Sequence, residues 1–295
     1  VSYGFKLGCV SLAGFLIVNW AAAMAVGGAA PAVIRAAAGL RARSAARLLW
    51  MLRMAPAAVA LLAVAALGVP SYLRFEPEGD GEPVGPACLL AALVAIAAVL
   101  HALIRSALAV RRSRRAAGLR IALGGVIRPR LILSQEIPRL LSPEELDAAL
   151  RHEYAHAASR DNLKRLLMLL APDSFAFFRP LAGLERAWKR FAEWAADDEA
   201  VSGEPRRALA LASALVRVAR LGAGAKFELV TSLTEEDLKL RVERLLGDWP
   251  PPARPAPRVS WALPACAAGA AGILAVLLHS HVQSGTYALL EALIR

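Results

Sequence analysis

Four stretches of this chain carry no charged residue at all: 7–34, 54–73, 83–104 and 259–290. Each is long enough to cross a hydrocarbon core, which takes about 20 helical residues. Four transmembrane helices are therefore expected, at roughly 8–30, 54–73, 85–105 and 260–280. A buried helix of a soluble protein would keep a polar stripe, and these runs have none. With 57% hydrophobic residues over 295 positions, the chain is also too apolar for an ordinary soluble protein. The first run is long for a signal peptide and shows no convincing cleavage site.

A net charge of +11 suggests nucleic acid at first sight, but its distribution points elsewhere. Arg35, Arg41, Arg43, Arg47 and Arg53 fall between the first two runs, and Arg105, Arg111, Arg112, Arg114 and Arg115 follow the third. The connection between runs two and three is acidic, with Glu76, Glu78, Asp80 and Glu82 against Arg74. Basic segments stay on the cytoplasmic side, so the N-terminus lies outside and the stretch between runs three and four lies inside. No aromatic-interleaved basic patch accompanies the charge, and nucleic acid is not expected as a partner; the lipid bilayer is. Trp50 and Trp261 at inner ends and Tyr72 at an outer end read as interfacial anchors. Cys9, Cys88 and Cys266 lie in or beside apolar runs without paired spacing and read as small buried hydrophobes. His101, His279 and His281 sit near span ends, where helix-contact roles are commoner than catalysis.

The chemistry concentrates in His152-Glu153-Tyr154-Ala155-His156. On a helix, positions i and i+4 share a face, so both imidazoles can bind one zinc ion while Glu153 reaches the attacking water as general base. The alternative is a solvated helix face that happens to carry two histidines. Against it stands a capped helix start three turns upstream, with Ser142 as N-cap, Pro143 at the first position and Glu145 completing a capping box. A catalytic site takes a third protein ligand, and Glu193 in a later helix supplies it, with Asp197 one turn on to hold a ligand histidine. No oxyanion partner is identifiable, Arg241 and Tyr154 being the candidates.

Three units follow: 1–110 with three spans and short loops, 111–258 as one cytoplasmic domain, and 259–295 with the fourth span and a short outer tail. The overall class is mostly α with a small β-sheet. That sheet is a hairpin around Gly124-Gly125, whose second strand, with Pro129, reads as an edge able to pair with an extended peptide. The metal helix is expected to run from Pro143 through Asp161 and into the Leu166–Leu170 stretch. A helix from about Leu181 to Val201 carries Glu193, Thr234 caps a helix with Arg241 and Arg244, and a proline-rich connector leads to the fourth span.

The run Leu141-Ser142-Pro143-Glu144-Glu145-Leu146, the motif from His152 to His156, Arg160-Asp161-Asn162-Leu163, and Glu193 with Asp197 resemble the membrane-embedded zinc peptidases of the BlaR and MecR sensor-transducer type. The HtpX and CAAX-processing proteases are near relatives in pattern. This resemblance implies a gluzincin-like fold in the cytoplasmic domain, bound Zn2+ and endopeptidase activity on a protein or peptide substrate. It carries over His152, His156 and Glu193 as ligands and Glu153 as base. It also implies a bacterial-type inner membrane. The sensor-transducers bear an extracellular penicillin-binding domain after the last span, whereas this sequence runs to Arg295, so a separate sensor protein is the expected partner. Regulatory proteolysis is the leading reading. A quality-control protease, a non-catalytic scaffold and a transporter are the alternatives, the last disfavoured by the scarcity of charge within the spans.

Overall fold

The structure is a computed structural model and describes residues 2–76, 83–115, 121–124, 130–134, 136–172, 179–222, 235–247 and 279–294. Among the described residues three helices are long and apolar enough to cross a membrane: α1 (Tyr3–Ala37), α2 (Ala42–Phe75) and α3, which runs Pro86–Arg115 and is apolar to Arg112. The expected fourth span lies outside the described residues. Leu61, Leu62, Leu90, Leu93 and Ile104 remain exposed on α2 and α3, which are faces suited to lipid. Within α2 a π turn at Val64–Gly68 precedes Pro70, whose missing N–H disturbs the regular ladder.

The second helix starts well before the charge-free run. Ala42 to Met54 contains no breaker, so the helix takes in Arg43, Arg47 and Arg53, and only the short segment 38–41 separates α1 from α2. At 1.5 Å per residue, the 35 residues of α1 reach about 50 Å, against about 30 Å of hydrocarbon. The surplus, at the end of α1 and the start of α2, forms a platform. Two expected surface features are instead internal: Arg53 is 1% exposed and Tyr72 is fully buried, its ring centroid 5.0 Å from that of Tyr3.

Beyond the spans, β1 (Ile121–Gly124) and β2 (Arg130–Leu133) pair antiparallel, Ile121 opposite Leu133. The turn residues and Pro129 lie outside the described residues. Strand β1 lies against the metal helix α5 (Pro143–Ser159), which the short α4 (Ile137–Leu140) precedes. The capping box forms: Ser142 Oγ accepts from the Glu145 N–H at 3.2 Å, and Glu145 Oε2 accepts from the Ser142 N–H at 2.8 Å. Helix α5 does not continue through Asp161. Arg160 turns left-handed, with φ 54°, and a separate helix α6 (Asp161–Leu170) begins.

Helices α7 (Ala182–Val201), α8 (Pro205–Gly222) and α9 (Glu235–Leu246) complete this part. Leu184, Trp188 and Phe191 of α7 share one core with Ala30, Ala45 and Leu49 of the platform. Gly27 allows the close approach of α1 to the start of α7, because a Cβ there would meet Pro180 at 2.8 Å. A second core joins Ala148 of α5, Val201 of α7, Leu211 of α8 and Leu245 of α9. At the opposite end of the spans, α10 (Ser280–Ile294) packs beside the Lys6–Glu76 ion pair, with Tyr287 Oη donating to Glu76 Oε2 at 2.7 Å.

Side chains of the spans also hold the end of α6. Arg53 Nη2 donates to the Met168 carbonyl at 3.1 Å, Arg105 Nη2 to that of Leu169 at 3.3 Å, and Asn19 Nδ2 to that of Pro172 at 3.2 Å. The last carbonyls of a helix have no partner within it, and here α1, α2 and α3 each provide one at or just past the end.

Candidate metal centre

Helix α5 places His152 and His156 one turn apart, and α7 brings Glu193 across to them. The two imidazole Nε2 atoms lie 3.2 Å apart. Glu193 Oε2 is 3.5 Å from His152 Nε2, and Oε1 is 3.6 Å from His156 Nε2. Donor atoms of a tetrahedral zinc at about 2.05 Å stand about 3.3 Å from one another, so these edges have the size a zinc ion requires. The three residues could hold a metal ion, and they form a set of two nitrogens and one carboxylate suited to zinc.

Each imidazole turns its other nitrogen to a carboxylate. Asp197 Oδ1 is 2.9 Å from His152 Nδ1, at ion-pair distance though out of line for a strict hydrogen bond. Asp161 Oδ2 is 2.8 Å from His156 Nδ1, and Lys164 Nζ steadies the second Asp161 oxygen at 3.0 Å. The left-handed turn at Arg160 is what folds Asp161 back onto the helix it follows. The sequence reading missed this role. Its available signal was an acidic residue five positions past His156 in a stretch that otherwise reads as continuous helix.

Arg241, on α9, reaches into the same cluster at 3% exposure. Its Nε and Nη2 donate to Asp197 Oδ2 and Oδ1 at 2.9 and 2.6 Å, and Nη1 lies 3.0 Å from Glu193 Oε2. With three of its N–H groups turned to carboxylates, it is poorly placed as the oxyanion partner considered from sequence. Tyr154, the other candidate, is 57% exposed. Glu153 is buried beside the cluster, close enough for its charge to favour protonated His156.

These surroundings set the proton affinities. Burial alone would raise the carboxyls of Glu193 and Asp197, but the Arg241 guanidinium and the imidazoles overcome it: Glu193 is held well below the usual carboxylate range and Asp197 at about 2. For the histidines burial works downward and is outweighed by their carboxylate partners. His152 is raised, by Asp197 and Glu193, and His156 is pushed up to about 10, by Asp161 and Glu193. A buried cluster with such perturbed groups is what a catalytic or metal site looks like physically.

His101 is exposed on α3, and His279 and His281 stack with centroids 5.4 Å apart at the start of α10, at the far end of the spans from the cluster. Cys9 and Cys88 are free thiols in a core at that same end, and Cys266 lies outside the described residues.

Residues 121–245 match the protein family described as BlaR1 peptidase M56. No curated protein and no solved structure matches the chain. The matched segment runs from β1 to α9 and so takes in His152, His156, Glu193 and Arg241, in agreement with the resemblance carried by the sequence motifs. The chain thus joins three helices long and apolar enough to cross a membrane to a segment, 121–245, that is similar to the BlaR1 peptidases of the M56 type.

Proposed function

We propose that this chain is a zinc-dependent endopeptidase in which His152, His156 and Glu193 hold the metal, Glu153 is the general base, and Asp197 orients His152. The observation that carries this reading is the convergence of the donor atoms: the two Nε2 atoms lie 3.2 Å apart, with Glu193 Oε2 3.5 Å from that of His152 and Oε1 3.6 Å from that of His156. A zinc ion bound there supplies Lewis acidity and lowers the pKa of water towards about 7. Glu153 accepts a proton from the attacking water and passes it to the leaving amine. Asp197 and Asp161 fix the tautomers, each keeping a proton on Nδ1 so that Nε2 faces the metal.

The substrate is a protein segment near the cytoplasmic membrane surface, in an inner-membrane protein whose peptidase part, about 111–258, faces the cytoplasm. Two observations support that layout. The arginines lie at the platform end, where α7 packs, and the described chain stops at Gly247 at that end and resumes at His279 at the other. A bound peptide adds to β2, the second strand of the hairpin, by main-chain hydrogen bonding. Regulatory proteolysis of the BlaR/MecR kind fits best; quality control of the HtpX kind is the second reading.

The test is hydrolysis of an unfolded protein by the purified full chain. Cleavage should stop with a chelator and return with zinc, and Glu153→Gln should keep zinc but lose cleavage. A Glu153→Gln variant as fast as the parent would contradict the assigned role.

A further inference from the structure

Glu193 does not hold its orientation alone. One of its oxygens, Oε2, is 3.0 Å from Arg241 Nη1 and 3.5 Å from His152 Nε2, while Oε1 is 3.6 Å from His156 Nε2. The same guanidinium grips both oxygens of Asp197, the carboxylate set against His152 Nδ1. One buried cation from α9 thus touches the third ligand and the carboxylate behind the first. Being a cation, it cannot itself bind the metal.

We propose that Arg241 is a positioning residue of the metal centre: it holds the Glu193 carboxylate turned towards the two imidazoles, and it clamps Asp197 against His152. The proposal rests on the zinc-peptidase reading and goes beyond its ligand set. A glutamate side chain is long enough to bind a metal through one oxygen or both. A donor 3.0 Å from Oε2 restrains how that carboxylate can turn towards a metal. The planar fork of arginine is suited to this task, since it holds two carboxylates in fixed directions where an ammonium would act as a point charge.

The centre then depends on the docking of α9, which contributes no ligand. That helix lies on α7 through a line of charges around Arg241. Arg244 Nη1 is 2.5 Å from Asp198 Oδ1, its guanidinium lies 5.4 Å over the Trp194 ring, and Asp237 is 3.8 Å from Arg190. Asp197, Asp198 and Trp194 flank or neighbour Glu193 on one stretch of α7. Docking α9 and aligning the third ligand are thus one event.

The test uses the full chain in detergent, with zinc affinity read by competition against a chromophoric chelator and geometry read from the visible spectrum of bound Co2+. Arg241→Gln should lose about 10- to 100-fold in zinc affinity, the range seen when the partners of metal ligands are removed. Its Co2+ bands should change as Glu193 loses its fixed orientation, and added guanidinium ion at non-denaturing concentration should restore part of both. Arg241→Lys, which keeps the charge but not the fork, covers the case in which the glutamine variant does not fold; it should fall between the two with an altered spectrum. Parent-like affinity and spectrum in the folded variants would overturn the proposal. So would an affinity loss with an unchanged spectrum and no recovery by guanidinium, because that marks a role in folding alone. A parent chain that binds neither ion would instead overturn the zinc-peptidase reading itself.

Discussion

Asp161 Oδ2 lies 2.8 Å from His156 Nδ1, and this contact exists because Arg160, between the two helices, adopts a left-handed backbone. A non-glycine residue pays a steric cost for that conformation, so the turn persists only where its surroundings impose it. Here the surroundings are the next helix, which starts at Asp161 and is fastened at its far end by Arg53 and Arg105 from the spans.

Removing the Asp161 carboxylate should therefore weaken the centre without removing a ligand. Asp161→Asn keeps the size and can still accept a hydrogen bond, whereas Asp161→Ala cannot. The alanine variant should bind zinc about 10- to 100-fold more weakly and the asparagine variant less so, measured by chelator competition. Equal affinity in the alanine variant and the parent would remove Asp161 from the account.

Metal binding should release protons, and its affinity should rise with pH. His156, with a proton affinity pushed up to about 10, carries an extra proton in the metal-free protein at neutral pH, the proton affinity of His152 is raised as well, and Glu193 is held well below the usual carboxylate range. The metal needs both Nε2 lone pairs, so its binding must displace a proton from the pair. Conversely, the His156 contribution to metal-free stability is full below its unfolded value near 6.5 and is lost as pH rises through about 10. Calorimetric zinc titrations in two buffers of different ionisation enthalpy will report the protons; zero release contradicts this arrangement.

Arg53 should be worth more than a surface arginine. Its Nε donates to Glu185 Oε1 at 2.8 Å and its Nη2 to the Met168 carbonyl, so truncation strands polar groups among apolar helices. Because Glu185 keeps Arg179 at 2.7 Å, Arg53→Ala should cost about 2–3 kcal/mol, less than the loss of a fully buried pair. Denaturant unfolding in detergent measures it, and a change under about 0.5 kcal/mol, typical of a surface substitution, would mean the pair contributes nothing.

The orientation is open to a labelling experiment. In a background lacking Cys9, Cys88 and Cys266, a cysteine at His281 should react in intact cells with an impermeant thiol reagent, and one at Ser202 should not. Both positions are exposed, so the pattern reports sidedness and not burial. The reverse labelling would place the metal cluster on the outside.

Much of this architecture can be read without coordinates, and the exceptions have a common cause. Histidines at i and i+4 and the capping box from Ser142 to Glu145 are local patterns, set by helix geometry, and so are the three described apolar helices. Arg53 reads as one of a loop cluster of arginines because its partner Glu185 is 132 residues away in the chain. Tyr72 reads as an interfacial anchor, yet the start of α1 covers it. Arg160 and Asp161 read as helix because no glycine or proline marks the break there, and tertiary contacts impose it. The role of Arg241 is hidden for the same reason: it depends on where α9 docks, a contact between segments 44 residues apart.

The central claim is that His152, His156 and Glu193 form one zinc site. Its most direct test is the zinc content per chain of the purified protein, measured beside His152→Ala and Glu193→Ala after identical exposure to zinc and removal of excess. The account predicts one zinc in the parent and almost none in either variant. A parent without zinc, or variants that retain it in full, would contradict it.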